Sequence, residues 1–348
     1  MQKAWKVVDL ERPQDWDEAL GRLPDHDIFH TWGWHAAFEG IDERRSFAYI
    51  WRDRRGILFH PFHLRPIEGG GTDIETVYGY SGPLSSNDDP QFLKDAWSPY
   101  TRWCADQGVV SEFFRFNPLL GNQVWAPPGM SVTLDRQTVV VDLSQGPEAL
   151  WSGYEQTQRS RVRKAERGGL VVEDRPLAVD PTALGAFYRA AMAEIGAAKS
   201  YFFPDEHFVR LGELFGENAR EFRVTQGSSL MATALFLRES GRLHYHLAAT
   251  PRATRAACPT NLLLHRAALW GMEHDCRILH LGGGRTAAPS DDLLAFKRQF
   301  SRSRTEFIFG TRILDTDRYR ALCQAWLGRH GGPRPAHFQL YRLPIAGG

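Results

Sequence analysis

The stretch DDLLAFKRQFSRSRTEF, residues 291–307, sets one lysine, Lys297, directly behind Phe296 among cations that are otherwise all arginine. Arginine keeps its charge in any protein, whereas lysine serves either as a point charge or as a base. Helical periodicity alone reads Lys297 as a surface lysine on an amphipathic helix. A second concentration of charge, QTQRSRVRKAERGG, places Arg159, Arg161, Arg163, Lys164 and Arg167 close together with Glu166 as the single acid. That pattern is either a local basic stripe able to meet nucleic-acid phosphates or an ordinary solvated helix face.

Other residue types with chemical potential are more scattered. Tyr245 sits on a strand between His244 and His246, which must point to the opposite face. Either histidine could bind or relay a proton, although a structural role is the simpler reading. Tyr201 lies in SYFFPDEHF, and YGYSGPL is a turn set by Gly79, Gly82 and Pro83, with Tyr78 and Tyr80 able to line a cleft. HLGGGR could hold an anion at Gly282–Gly284 and Arg285, but its spacing matches no nucleotide-binding fingerprint, and a glycine-rich strand exit explains it equally. Cys104, Cys258, Cys276 and Cys323 show no metal-site spacing and read as buried thiols. No metal and no cofactor is expected.

The elements that must carry these residues follow from periodicity. RSFAYIWRDRRGILFHPFHLRPI reads as a hairpin, and PQFLKDAWSPYTRWCADQG as an amphipathic helix ending at Gly108. VSEFFRFNPL and RQTVVVDLS read as the next strands. From residue 146 a helix over GPEALWSGYEQTQRSRVRKAERGG, the strand LVVEDR and two helical segments precede the strands AREFRVTQG, SLMATALFLRES and RLHYHLAAT. The helix TNLLLHRAALWGMEHD, the strand RILHLGGG and the helix DDLLAFKRQFS follow. This is a mixed α/β (α+β) pattern whose order recurs, giving two similar lobes at residues 1–145 and 146–348.

A chain of 348 residues is long enough for one or two full cores, and a formal net charge of +1 gives no overall pull toward nucleic acid or membrane, so any basic surface is local. The first residues lack an apolar run of signal-peptide length, and no window is long and apolar enough for a membrane helix. A cytoplasmic location is expected.

The strand RLHYHLAAT, its loop, the helix TNLLLHRAALWGMEHD and the strand RILHLGGG form the β-loop-α-β centre of the N-acetyltransferase (GNAT) fold. Taken in order, FHTWGWHAAF, YGYSGPL, RSRVRKAERGGLVV, TNLLLHRAALWGMEHDCRILHLGGG and LLAFKRQFS resemble the Fem family across nearly the whole chain. These are aminoacyl-tRNA-dependent transferases built of two GNAT-like lobes with mixed sheets flanked by helices. The resemblance implies that Phe296 and Lys297 lie near the reacting ester, with the lysine stabilising developing negative charge or the terminal ribose. It further implies that Tyr80, Tyr201 and Tyr245 contact the acceptor, and with a tRNA substrate the basic stripe of Arg159, Arg161, Arg163, Lys164 and Arg167 is the segment that could meet its phosphates.

Three departures narrow that implication. Leu84 follows Gly82-Pro83, and the nearest acids are Asp88 and Asp89, so no carboxylate base is placed. Phe38 and Glu39 stand where cell-wall members carry a lysine, and the coiled-coil insertion of some members is missing. Finally, the loop PRATRAACPTN has arginines but no glycine, which disfavours close backbone approach to a CoA pyrophosphate. The expected activity is transfer of an aminoacyl group from aminoacyl-tRNA to the amine of a small molecule or cell-envelope precursor. The alternatives are an acyl-CoA-dependent N-acyltransferase and a non-catalytic protein that binds RNA or a precursor.

Overall fold

The structure, a computed structural model, describes residues 4–41, 43–288, 290–330 and 333–344. The strands are β1 (Ala4–Val8), β2 (Arg45–Arg52), β3 (Ile57–Pro66), β4 (Thr72–Glu75), β5 (Leu84–Ser85), β6 (Val109–Arg115), β7 (Ser131–Asp142), β8 (Val171–Pro176), β9 (Ala219–Gln226), β10 (Ser229–Glu239), β11 (Arg242–Ala249), β12 (Ile278–Gly283) and β13 (Arg304–Ile313). The helices are α1 (Pro13–Leu20), α2 (Trp32–Ala36), α3 (Pro90–Asp106), α4 (Pro147–Gly153), α5 (Gln156–Arg167), α6 (Pro181–Glu194), α7 (Asp205–Phe215), α8 (Pro259–Glu273), α9 (Asp292–Arg298) and α10 (Thr316–His330). Two compact units result: Met1–Trp32, Asp42–Leu134 and Ile308–Gly348 form one, and Gly33–Ile41 with Asp135–Phe307 form the other. The units are therefore interleaved along the chain, unlike the two consecutive lobes expected at residues 1–145 and 146–348. The last strand and α10 return to the first unit, and residues 33–41 belong to the second.

In the first unit the sheet order is β1-β2-β3-β4-β6-β13, with β5 beside β3. The hairpin of β2 and β3 turns where the Asp53 side chain accepts from the Arg55 N–H at 2.7 Å. Apolar rings fill one face under α3, with Trp97, Tyr100, Phe62 and Phe114 all fully enclosed. On another part of this unit, α10 covers Val110 with Tyr319, Cys323 and Trp326. Asp73, wholly buried on β4, accepts from Arg65 Nε at 2.8 Å and from both Nε and a terminal nitrogen of Arg342 at 2.9 Å. That two-pronged contact pins the segment around residue 342 onto the sheet.

The second unit has the order β7-β12-β11-β10-β9-β8, antiparallel except where β11 pairs in parallel with β12 through the crossover helix α8. α5 packs on α8, and α8 lies over β9, β10 and β12; α6 packs on β10 and β11, and α7 on α6. The single helix expected over residues 146–169 breaks into α4 and α5. Gly153 ends the first, Tyr154 and Glu155 are extended, and the Tyr154 ring turns inward against Phe300 at 5.5 Å. Arg159 donates to the carbonyls of Ser152 and Tyr154, satisfying the end of α4.

Breaking the Asp73 contact leaves Arg342 without a carboxylate and Arg65 with only Glu75, its partner at 2.9 Å. Asp73→Ala is expected to destabilise the protein by about 3 kcal/mol, the lower end for a broken buried pair, because Glu75 compensates in part. Urea unfolding measures it, and a loss under about 1 kcal/mol would show that the contact does not hold the segment.

Candidate functional site

Lys297 is buried, 7% exposed, on the last turn of α9. The periodicity reading of a surface lysine is therefore overturned: the seven-residue helix turns this position inward, toward β11 and β12. Its Nζ donates to the Gly283 carbonyl at 2.7 Å and lies 5.9 Å from the centre of the Tyr245 ring. Burial lowers the Lys297 pKa to about 8, with the Asp291 carboxylate acting in the opposite direction. Burial also pushes the Tyr245 phenol well above its ordinary value.

The strands create the place that Lys297 fills. β11 and β12 pair only from Arg242 to His244 against Ile278 to His280, although β11 runs on to Ala249 and β12 to Gly283. A bulge against β7 falls between His280 and Gly282, and Gly282 takes a φ of +73°. The two strands thus part just beyond His244, which exposes the Gly283 carbonyl and the Tyr245 ring to the Lys297 ammonium.

Asp291, the N-cap of α9, secures the loop between β12 and this helix. Its carboxylate accepts from the N–H groups of Arg285, Thr286 and Leu294, each at 2.9 Å, and from the Thr286 hydroxyl at 3.2 Å. Burial opposes its charge, but these bonds from Leu294, Thr286 and Arg285 hold its pKa at about 2. A Cβ at Gly284 would stand 2.4 Å from Asp291 Oδ1, so the glycine run admits the chain's own carboxylate. Sequence reasoning passed over Asp291 and the Gly283 carbonyl. An aspartate immediately before an apolar helical segment is an N-cap signal that could have pointed to the former.

The expected site residues divide into groups. Phe296, Lys297 and Tyr245 come together on the α8 and α9 side, where Phe296 packs edge-on against Phe300 at 5.5 Å. His244 and His246 occupy the other face. His244 Nδ1 lies 3.4 Å from His280 Nδ1, and His280 Nε2 contacts the Thr138 hydroxyl at 2.9 Å. His246 packs against Trp34 at 5.1 Å, and burial next to His207 and His244 lowers its pKa to about 3. His246 is therefore neutral at pH 7. Tyr201 is exposed in the segment between α6 and α7, and Tyr80 belongs to the first unit, half-buried against Phe29 at 5.7 Å.

The cations of α5 are also divided. Arg159 serves the α4 terminus, and Arg161 donates to Gln299 Oε1 at 2.7 Å. Arg163, Lys164 and Arg167 are exposed, with Arg163 stacked 5.2 Å over Trp151. In the loop before α8, the amides of Thr254 and Cys258 already bond to the carbonyls of Pro251 and Arg255 in the same stretch. Among the described residues no group of three or more His, Cys, Asp or Glu could hold a metal ion, and no helix is long and apolar enough to cross a membrane.

Residues 153–298 match the acetyltransferase (GNAT) domain family. The chain is similar in structure to FemX, with 13% identity, a TM-score of 0.70, and coverage of 92% of this chain and 99% of that one. The C-terminal domain of a protein assigned as lysylphosphatidylglycerol synthetase from Agrobacterium fabrum follows at 14% identity and TM-score 0.56, covering 94% and 98%. A tandem GNAT protein from the clavulanic acid biosynthesis pathway matches at 10% identity and TM-score 0.54, covering 90% and 99%. Comparison with curated protein sequences finds none that matches. The chain has a mixed α/β fold similar to that of FemX, with a GNAT-domain match over residues 153–298, as the sequence resemblance implied.

The burial of Lys297 has a direct signature. Its ammonium should lose its proton near pH 8 instead of at the ordinary lysine value near 10.4. Between those values the unfolded chain binds more protons than the folded one, so this group makes folding stability rise with pH there. Observing the lysine side-chain carbons by NMR across a pH titration, with Lys297→Arg to assign the signal, checks it. Asp291→Asn should move the midpoint lower still, and a midpoint near 10 in the parent protein would contradict the burial argument.

Proposed function

We propose that this chain transfers an aminoacyl group from aminoacyl-tRNA to an amine acceptor, a small molecule or cell-envelope precursor, forming an amide bond. The observation that carries the reading is the Lys297 ammonium held against the Gly283 carbonyl where β11 and β12 part. The likeness in fold to FemX and to the lysylphosphatidylglycerol synthetase domain supports it.

In this reading the acceptor nitrogen attacks the ester carbonyl, and the carbonyl oxygen takes up negative charge. An ammonium has three N–H groups; the Gly283 carbonyl takes one, leaving two for substrate oxygens. A fixed, desolvated cation beside that oxygen stabilises the transition state more than the ground state. The C–N bond forms as the ester C–O bond breaks, and the proton released by the amine ends on the departing ribose oxygen. No carboxylate base is required when the two substrates are held together, because the ester is already activated. Tyr245 walls the site, Phe296 packs the helix that delivers Lys297, and Tyr80 and Tyr201 are assigned to the acceptor. Arg163, Lys164 and Arg167 are assigned to the tRNA, with Arg159 and Arg161 as their structural supports.

An acyl-CoA donor is the second reading, and the GNAT match over residues 153–298 favours it. The loop before α8 weighs against it, since the Thr254 and Cys258 amides are already hydrogen-bonded to the loop's own carbonyls and are not free for a pyrophosphate. A silent binding protein would carry a buried lysine at this position without use.

The test is incubation with tRNAs charged with radiolabelled amino acids and a small-molecule extract of the source cells, with and without RNase. RNase-sensitive transfer into a small product is expected. Transfer from acyl-CoA that is indifferent to RNase would replace the donor, and no transfer from either would leave only binding. Lys297→Ala should reduce turnover at least about tenfold, or ~1.4 kcal/mol of barrier, and an unchanged rate would remove Lys297 from the mechanism.

A further inference from the structure

β12 leaves the sheet at Gly283, and the side chain that braces it there is Arg136 on β7. Gly283 pairs with Thr138, whose hydroxyl meets His280, while Val139 and Val141 face the core beneath α8. Arg136, two residues before Thr138, therefore lies on the face of the sheet opposite α8 and α9. Its stem passes over Gly283: a Cβ there would stand 3.1 Å from Arg136 Cδ, so the glycine admits the arginine. The guanidinium donates to the Gly284 carbonyl at 3.1 Å and pairs with Asp135.

The Gly284 carbonyl and the Arg285 N–H belong to one peptide group. Arg136 holds its oxygen, and the Asp291 carboxylate accepts from its nitrogen at 2.9 Å. Opposite charges at the two ends fix the rotation of that peptide, because turning it breaks both charge-assisted bonds together. The preceding peptide, between Gly283 and Gly284, carries the oxygen that accepts from Lys297 Nζ. Two consecutive glycines have no side chains to restrict that oxygen by themselves. β7 also fixes the other partner: the Gln137 side chain accepts from Arg298 at 3.1 Å, and Arg298 follows Lys297 on α9. One short stretch of strand thus sets both the carbonyl and the ammonium.

We infer that Arg136 is a positioning residue for acyl transfer. It acts through the peptide between Gly284 and Arg285, holding the Gly283 carbonyl on Lys297 so that the ammonium stays aimed at the substrate oxygen. The role in transfer rests on the acyl-transfer reading, whereas the clamp itself is measurable without substrate.

The test follows Lys297 and turnover in the full chain carrying Arg136→Ala or Arg136→Lys. The Arg136 side chain is 25% exposed, so neither change opens the core. Without the clamp the Gly283 carbonyl turns away for part of the time and the ammonium loses its acceptor. The NMR titration midpoint of Lys297 should then fall by about half a pH unit or more in Arg136→Ala. Loss of the guanidinium charge alone would raise that midpoint, since a nearby cation disfavours the ammonium, so a fall reports the carbonyl. Turnover with charged tRNA should drop at least about fivefold, with KM within about twofold of the parent. Arg136→Lys keeps a donor for Gly284 and should recover most of both. An unchanged or raised midpoint in Arg136→Ala overturns the clamp. A fallen midpoint with full turnover overturns the role in transfer, and a raised KM at unchanged kcat puts Arg136 on the substrate instead. If the parent transfers nothing from any donor, the acyl-transfer reading fails, and the midpoint still decides the clamp.

Discussion

A lysine amine removed from water needs a partner, and for Lys297 that partner is one backbone carbonyl, Gly283. The carbonyl is available because two strands of a sheet fail to stay paired. Had β12 continued beside β11 beyond His280, a ladder hydrogen bond would have claimed this region of the backbone, and the ring of Tyr245 would have been covered by its neighbour. The bulge opposite β7 and the left-handed Gly282 are therefore prerequisites for the buried lysine. So is Gly284, which yields its side-chain space to Asp291.

The same geometry explains how one aspartate acts at both ends of the loop. Asp291 caps the first turn of α9 through Leu294 and gathers the Arg285 and Thr286 amides, fixing the distance between the strand exit and the helix. Its charge also favours the protonated form of Lys297, although burial is the larger influence. The glycine run that looked able to cradle an external anion has an internal one instead. A carboxylate with three backbone N–H donors is satisfied in the manner of a bound oxyanion, which leaves little for a phosphate at that point.

Much of this was legible in the chain. Apolar runs flanking the polar turn RDRRG located the β2/β3 hairpin, both of whose strands are largely buried, and helical or strand periodicity located α3 and the run from β8 to α9. The lone Lys297 after Phe296 stood out by residue type, but its burial was not legible, since a seven-residue helix is too short for periodicity to tell its faces apart. β13 and α10 went unassigned. RTEFIFGTRI alternates weakly because most of its residues are only half-buried, and α10 buries just Tyr319, Cys323 and Trp326 among many polar residues. The return of that strand to β6 is a long-range pairing that no local pattern encodes, and it makes the units discontinuous. The arginines of α5 were visible as charge, yet which of them face inward depends on the α4/α5 break, itself dictated by Tyr154 packing into the core.

That break ties the basic helix to the lysine mechanically. Gln299, the C-cap of α9, accepts from Arg161 through its side chain at 2.7 Å and from the Glu155 N–H through its carbonyl at 2.9 Å. α9 is thus held at its start by Asp291 and at its end by the start of α5. The exposed Arg163, Lys164 and Arg167 stand farther along that same α5. The α5 cations divide along the same joint: Arg161 ties α5 to Gln299 and Arg159 ties it to the end of α4, whereas Arg163, Lys164 and Arg167 are exposed.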